Sequence, residues 1–192
     1  KENNTLIILD EVQSGVGRTG TLFAYEQFNI KPDIVTCAKG LGNGFPIGAI
    51  LTKDHIAKSM QVGSHGTTFG GNPLACSVAL EVINSMSKKS VLRNVVRKEK
   101  LFIKKLNEMN KKLHCFERIN TAGLWVGCKL KITETVNLDT VLQRCYKNGL
   151  MVLKANNNTI RIAPSLIIED KLIKEGLNIM EESISQLQER CV

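Results

Sequence analysis

Two charged residues, Asp10 and Lys39, stand where the ends of neighbouring strands could use them for chemistry. Asp10 ends the apolar run at 5–9, and Lys39 follows the apolar run at 33–38 and precedes a glycine-rich turn. Ligands of an open α/β sheet collect at the carboxyl ends of its strands, so adjacent strands could aim both side chains at one pocket. A partly dry pocket would favour the neutral, nucleophilic form of the lysine amine. An aspartate that caps a turn and a solvated loop lysine are the structural alternatives.

Two nucleotide-binding patterns offer other interpretations of the same segment. Residues 7–11 match the end of a Walker B strand, which would make Asp10 a magnesium ligand in an ATPase, but the sequence contains no GxxxxGK[ST] phosphate loop. The glycines of GVGRTG at 15–20 match a dinucleotide fingerprint, yet residues 10–14 separate them from the strand. Both patterns are therefore weak beside the pairing of Asp10 with Lys39.

Composition indicates a globular protein with one sizeable domain or two small ones. The chain has 192 residues, 43% of them hydrophobic, and a formal net charge of +8. Its aliphatic runs are shorter than the roughly 18 to 20 residues of a membrane span, and the polar residues 1–4 do not resemble a secretory signal. The six cysteines form no CxxC pair, and His65 has no second ligand at metal-binding spacing. We therefore predict a cytoplasmic protein with reduced cysteines, no bound metal and no membrane partner.

The excess positive charge lies in one segment, residues 88–112, which carries ten basic side chains against two acidic ones. Apolar residues fall on one helical face of this segment: Leu92, Val95, Val96, Phe102, Ile103, Leu106, Met109 and Leu113. The pattern predicts an amphipathic helix whose lysines occupy the opposite, solvated side. Because no aromatic platform or nucleic-acid-binding motif accompanies the charge, we predict no nucleic-acid partner.

The elements that must position these residues follow from the apolar runs. Runs at 5–9, 33–38 and 47–52 predict three buried strands of a parallel sheet covered on both faces, and Pro73 opens a helix through the 80s. A second, smaller α+β domain is predicted to begin between 90 and 115. Its predicted strands cover 115–119, 124–131, 150–153 and 159–163, and its predicted helices cover 138–148 and 169–189.

Four separated blocks resemble the class III aminotransferases, which are pyridoxal-phosphate enzymes of fold type I. The blocks are LDEVQSGVGRTG (9–20), PDIV (32–35), AKGLGNGFPIGA (38–49) and HGTTFGGNPLA (65–75). GLMVL (149–153) and IRIAPSLIIE (160–169) resemble the C-terminal domain of acetylornithine/succinyldiaminopimelate aminotransferases in particular. The resemblance implies an α/β fold representing the C-terminal half of such an enzyme. Residues 1–92 would then be part of a cofactor-binding large domain with a mainly parallel sheet, and 93–192 a small α+β domain.

The resemblance implies a cofactor role for residues that follow the first two strands. Asp10 corresponds to the aspartate that pairs with the protonated ring nitrogen of pyridoxal phosphate. Val12 would pack on the ring face and Gln13 would reach the ring hydroxyl. Lys39 corresponds to the lysine that bonds the cofactor covalently and moves a proton during the reaction.

Two further residues gain implied roles. Thr68 matches the threonine that donates to the cofactor phosphate of a neighbouring subunit, so the resemblance implies a homodimer with shared active sites. Arg161 matches an arginine near the substrate carboxylate, a role that suits its bidentate guanidinium. Three features of the family are absent from these 192 residues: the glycine-threonine loop that binds the cofactor phosphate, the aromatic residue that stacks on the ring, and another substrate-binding arginine. We therefore expect the isolated chain to bind pyridoxal phosphate weakly.

The implied activity is transfer of the terminal amino group of N-acetylornithine to 2-oxoglutarate, which gives N-acetylglutamate 5-semialdehyde and glutamate in arginine biosynthesis. Succinyldiaminopimelate of lysine biosynthesis is a further implied substrate. The alternatives are another class III aminotransferase, acting on succinylornithine, ornithine or 4-aminobutyrate, and a catalytically dead dimerising fragment.

Two turns depart from the family pattern. The family usually has Arg-Gly before the Gly-Leu pair of the small domain, whereas this chain reads NTAGL at 120–124. A glycine usually precedes Arg161, whereas this chain has NNNT at 156–159. Asparagine tolerates the left-handed backbone conformation, so we expect the second turn to be kept.

Overall fold

Two separate sheets organise the chain. The structure is a computed structural model that describes residues 5–134 and 136–189, and the chain divides between Arg93 and Asn94 into two compact units. A three-stranded sheet lies in the first unit and a four-stranded sheet in the second. The sequence predictions for residues 1–4 and for Cys191 fall outside the described residues.

The first unit is built on the sheet order β1-β2-β3. Its strands are β1 (Ile8–Asp10), β2 (Ile34–Cys37) and β3 (Ala49–Thr52), and its helices are α1 (Asp54–Ala57) and α2 (Pro73–Met86). Single 3-10 turns cover Ala24–Phe28 and Lys39–Leu41. The predicted start of α2 is confirmed, because Pro73 is its first residue and the Asn72 side chain caps it by accepting from the Ala75 N–H at 2.9 Å.

The third strand runs against the predicted direction. β1 and β2 are parallel, as predicted, but β2 and β3 are antiparallel, with Ile34 opposite Thr52 and Cys37 opposite Ala49. Only residues 38–48 join β2 to β3, and no crossover helix lies among them. Parallel neighbours need a connection of about a dozen residues or more, usually helical, so the short link reverses the chain instead.

The predicted burial of the first strand is also wrong. Leu6, Ile7 and Ile8 are 50%, 43% and 59% exposed, and Ile50 and Leu51 of β3 are exposed as well. Both strands lie at the edges of a three-stranded sheet, so each has only one neighbour. The buried cluster of this unit instead lies around the loop after β1. Its members are Val16, Cys37 and Leu41, against which Phe23, Ile47, Ala79, Val82, Ile83 and Met86 pack.

The second unit packs three helices with an antiparallel sheet. Its strands are β4 (Phe116–Ala122), β5 (Trp125–Leu130), β6 (Leu153–Ala155) and β7 (Thr159–Ile162), in the order β4-β5-β7-β6. Its helices are α3 (Lys89–Leu113), which begins just before the division, α4 (Leu138–Lys147) and α5 (Asp170–Gln188). A cluster of twenty buried residues fills the space between them. None of the described helices is long and apolar enough to cross a membrane.

The strand predicted at 150–153 starts later, at Leu153. Gly149 has φ 89°, and the N–H groups of Gly149 and Leu150 donate to the carbonyls of Tyr146 and Cys145 at 3.0 and 2.8 Å. This is a Schellman termination of α4. The glycine and the residue after it therefore close a helix rather than begin a strand.

Both turns that depart from the family pattern are regular. Gly123 takes φ 60° in a two-residue turn between β4 and β5, and Ala122 pairs with Trp125. Asn157 and Asn158 take φ 57° and 55°, as expected for asparagines that replace a glycine. Neither replacement disturbs the strands that flank it.

The basic helix is amphipathic as predicted, with one exception. Lys98 lies on the buried face and is 3% exposed, whereas Val96 and Ile103 are 39% and 37% exposed. The Lys98 Nζ donates to the Leu166 carbonyl at 3.4 Å, and burial lowers the pKa of this amine. The prediction that all lysines lie on the solvated side was wrong because position 98 falls in register with Val95 and Phe102.

Candidate active site

The carboxyl edge of the first sheet brings three of the predicted site residues together. β1 and β2 are parallel with Asp10 opposite Thr36, so the residues after both strands leave the sheet at the same edge. Lys39 Nζ donates to Gln13 Oε1 at 3.1 Å. Asp10 Oδ1 accepts from the Val12 N–H at 2.9 Å, and the Thr36 hydroxyl oxygen lies 3.5 Å from the same atom. An acid, an amide and an amine therefore share one sheet edge.

This edge is open rather than partly dry. Asp10 and Lys39 are both exposed, so these residues do not form the partly dry pocket that was considered for the Lys39 amine. The reason lies in the sheet, since β1 is an edge strand and the buried cluster of the unit lies beside the loop that follows it. Val12 and Gln13 are half-buried between the exposed edge and that cluster.

Glu11 is a residue that the sequence analysis passed over. It is 3% exposed, and its carboxylate accepts three hydrogen bonds. Oε1 accepts from the Tyr25 N–H at 2.9 Å, and Oε2 accepts from the Ser14 hydroxyl at 2.6 Å and the Ala24 N–H at 3.1 Å. Strand alternation could have found it, because successive residues at a strand end point to opposite sides. With Asp10 turned outward, the next residue points inward.

The loop after β1 touches the lysine turn at a second point. Val16 is buried with φ 55°, a left-handed conformation that is strained for a β-branched residue. A Cβ placed on Gly40 would lie 3.3 Å from the Val16 Cβ, so a larger residue at position 40 would push Val16 away by a few tenths of an ångström. Lys39 itself has φ 43°. Val16, which forms one side of this contact, and Lys39, which precedes Gly40, thus both have a left-handed backbone.

Cys37 closes this small cluster from the end of β2. It is 3% exposed, and burial raises the pKa of its thiol, with a smaller contribution in the same direction from the Glu11 carboxylate. The thiol therefore stays protonated and packs as a small apolar group.

Thr68 and Arg161 belong to other segments of the chain. Thr68 belongs to the loop at 61–71, all of whose residues are exposed. It takes part in none of the described hydrogen bonds of Asp10, Gln13 and Lys39. Arg161 belongs to the second unit, on β7, opposite Gly127 of β5 and Leu153 of β6. Its Nε is buried and has no hydrogen-bond partner among the described residues. It lines a mainly apolar cavity of about 300 Å³ in that unit.

Metal ligation has no visible basis in the part of the chain that the structure describes. There, no group of three or more His, Cys, Asp or Glu side chains is arranged to hold a metal ion.

Comparison with known proteins identifies the family. The model of the aminotransferase class-III family matches residues 1–184. The chain belongs to this family. The resemblance seen in the four sequence blocks is thereby confirmed.

Relatives of this class III chain share its fold as well as its sequence. An acetylornithine/succinyldiaminopimelate aminotransferase of Buchnera aphidicola is 48% identical over 177 residues, which cover 92% of this chain and 43% of that protein. A succinylornithine transaminase of Yersinia pseudotuberculosis is 45% identical over 185 residues, which cover 96% of this chain and 45% of that protein. The crystal structure of N-acetylornithine aminotransferase from Stenotrophomonas maltophilia K279a is 34% identical with a TM-score of 0.88, covering 98% of this chain and 49% of that one.

The α/β fold class is confirmed by this structural similarity, and its sheets are mixed rather than mainly parallel. The chain spans less than half the length of these curated relatives.

Proposed function

We propose that this chain is the lysine-bearing half of a pyridoxal-phosphate-dependent aminotransferase. The observation that carries the proposal is the hydrogen bond from Lys39 Nζ to Gln13 Oε1, at the same sheet edge as the Asp10 carboxylate. Class III aminotransferases depend on pyridoxal phosphate as a family. The reaction we propose transfers the terminal amino group of N-acetylornithine to 2-oxoglutarate.

The residues at the sheet edge suit this cofactor. Both described hydrogen bonds of Asp10 end at Oδ1, which leaves Oδ2 for the ring nitrogen. Gln13 would serve the ring hydroxyl, Val12 the ring face, and Lys39 the covalent attachment. When bound, pyridoxal phosphate supplies an electron sink for the substrate carbon. The exposed Lys39 amine is accessible to an aldehyde from solvent.

The protein side of the reaction is proton transfer and orientation. Lys39 Nζ, the amine that is hydrogen-bonded to Gln13 at this edge, would carry a proton between the substrate carbon and the aldehyde carbon of the cofactor. Asp10 would pair its carboxylate with the ring nitrogen, and Gln13 would hold the position of Lys39 before the cofactor arrives.

Arg161 is our proposed ligand for a substrate carboxylate. Its buried Nε lacks a partner among the described residues, and an unpaired buried donor is costly, so a bidentate anion would satisfy it. N-acetylornithine and 2-oxoglutarate both carry a carboxylate. Succinylornithine does as well, and the Yersinia relative named for that substrate makes it the second candidate amino donor.

We also propose a homodimer with shared sites, in which Thr68 serves the cofactor phosphate of the partner. Val62 and Phe69, in the same loop as Thr68, are 107% and 78% exposed. Large apolar side chains exposed this fully on one loop are typical of a protein interface. On this proposal, residues 1–92 are part of the large, cofactor-binding domain, and 93–192 form the small domain.

The first experiment locates the reactive lysine. The 192-residue chain is incubated with excess pyridoxal phosphate, reduced with borohydride and mapped by peptide mass spectrometry. We expect the reduced cofactor on Lys39, its loss in Lys39→Arg, and its retention in Lys53→Arg, the matched control in the same unit. A label that maps mainly to Lys53 or Lys154 would reject the assignment.

The second experiment identifies the amino donor. In a chimera, this chain replaces the matching part of the Buchnera aminotransferase, which supplies the remainder of the family fold. We expect turnover with N-acetylornithine and 2-oxoglutarate that exceeds turnover with succinylornithine, ornithine or 4-aminobutyrate. A soluble chimera that carries the label on Lys39 but has no activity with any donor would favour the catalytically dead fragment.

A further inference from the structure

We propose that Glu11 is a positioning residue for Lys39, acting through the loop at 11–23. The carboxylate is buried and takes hydrogen bonds from Ser14, Ala24 and Tyr25, so it ties the start of the loop to the turn that ends it. This role rests on the proposed function at one point, the choice of Lys39 as the reactive residue that must be positioned. It assigns to Glu11 a task that the family resemblance gave to no residue.

The loop meets the lysine turn at two places. Gln13 Oε1, the side-chain amide oxygen, accepts from Lys39 Nζ at 3.1 Å, and Val16 packs against Gly40, the next residue after the lysine. Val16 holds a strained left-handed backbone, which persists only where the surrounding structure enforces it. Glu11 joins the two ends of the loop, and we assign that constraint on Val16 to its hydrogen bonds.

A carboxylate suits this task better than any neutral side chain. Three donors converge on two oxygens, and a buried ionised carboxylate needs such a set of donors to offset its lost hydration. Glutamine offers only one acceptor oxygen and adds an N–H₂ group beside the donors. Glu11→Gln would therefore leave at least one loop N–H unpaired without changing the size of the side chain.

The experiment measures the freedom of the Lys39 amine without pyridoxal phosphate. The full chain is methylated briefly with formaldehyde and cyanoborohydride, and the extent of methylation at Lys39 is divided by that at Lys154, an exposed lysine of the second unit. Four proteins are compared: the wild type, Glu11→Gln, Gln13→Ala and the double variant.

We expect the Lys39 to Lys154 ratio to rise about two- to fivefold in Glu11→Gln and in Gln13→Ala, the size expected for loss of one ordinary hydrogen bond. In the double variant the ratio should be no higher than in Gln13→Ala alone, because the Gln13 hydrogen bond is the loop contact that holds the Lys39 amine itself, whereas the Val16 contact holds the backbone at Gly40. A purely electrostatic effect of the missing carboxylate would add to the effect of Gln13→Ala. An unchanged ratio in Glu11→Gln, or additive effects in the double variant, would overturn the proposal.

Two further variants control for unfolding. Glu26→Gln changes an exposed glutamate of the same segment, whose Oε1 accepts from the Phe23 N–H at 2.9 Å, and should leave the ratio unchanged. If Glu11→Gln does not fold, Ser14→Ala removes one of the three donors while keeping the charge, and should raise the ratio by a smaller factor. No rise in Ser14→Ala would then count against Glu11. Failure of pyridoxal phosphate to label Lys39 would reject the proposed function alone, since the methylation ratio does not involve the cofactor.

Discussion

The interactions inside the first unit differ from those inside the second. Twenty buried residues form the core cluster of the second unit, whereas the corresponding cluster of the first has three. The first unit instead relies on a buried carboxylate, Glu11, whose hydrogen bonds organise the loop beside Lys39. Apolar burial thus dominates one unit, and polar organisation around the candidate site dominates the other.

The units also differ in where they place left-handed backbone. In the second unit the non-glycine residues with positive φ are His114, Asn157 and Asn158, types that are enriched there. In the first unit they include Val16 and Lys39, for which this conformation is costly. Strain of this kind collects at functional sites and persists because other contacts enforce it. This contrast in backbone conformation supports the sheet edge of the first unit as the candidate functional site.

The largest effect should follow a cavity in the core of the second unit. Leu106 is fully buried in α3, so Leu106→Ala should lower the free energy of unfolding of that unit by about 3–5 kcal/mol. Trp125, the one tryptophan of the chain, lies on β5 of this unit, so its fluorescence during denaturant unfolding reports on the unit. Ile103→Ala, on the same helix but 37% exposed, is the control and should cost about 1 kcal/mol or less. Equal losses in the two variants would contradict a core centred on Leu106.

An intermediate effect should appear in the rates at which buried thiols react. Cys37 and Cys128 are both buried, and burial raises the pKa of both thiols, that of Cys128 to about 12. Because a buried, protonated thiol reacts only after local opening, its rate measures the free energy of that opening. The small cluster around Cys37 should open more easily, so we expect it to react at least about tenfold faster than Cys128.

Iodoacetamide labelling with peptide mapping measures both rates in one sample. The exposed Cys76 provides the rate of an unprotected thiol. Equal protection of Cys37 and Cys128 would show that the first unit resists local opening as strongly as the second. The difference in size between the two core clusters would then not determine local stability.

Local signals predicted the parts of the fold that local chemistry decides. The capped start of α2 at Pro73, the strand before Lys39 and the asparagines of the 156–158 turn all follow from side chains adjacent in sequence. The direction of β3 and the exposure of β1 could not be obtained in this way, because they depend on which neighbours a strand finds. An apolar run indicates a strand, but it does not indicate how many faces are covered.

The candidate site also has features that the sequence predicted and features that depend on distant contacts. The spacing of Asp10 and Lys39 at the ends of two strands predicted that they would share a sheet edge, since parallel pairing of β1 and β2 aligns those ends. The burial of Lys98 was not predicted, because it depends on a tertiary contact. Its amine donates to the carbonyl of Leu166, which belongs to a distant segment of the chain. Glu11 had a detectable signal in strand alternation, but its partners Ala24 and Tyr25 contribute backbone groups that no sequence motif marks.

The smallest effect should come from a relaxed turn of the second unit. Asn158 has φ 55°, and its carbonyl accepts from the Leu130 N–H at 2.9 Å, so the turn is tied to β5 through backbone alone. Asn158→Ala should lower the free energy of unfolding by about 1 kcal/mol, because alanine tolerates left-handed backbone poorly. Asn158→Gly should change it by less than about 0.5 kcal/mol, since the lower strain of glycine is offset by the greater entropy of its unfolded chain. Unfolding followed at Trp125 measures both. If glycine instead stabilised the unit by well over 1 kcal/mol, the turn would store strain as the loop beside Lys39 does, and strained backbone would no longer distinguish the two units.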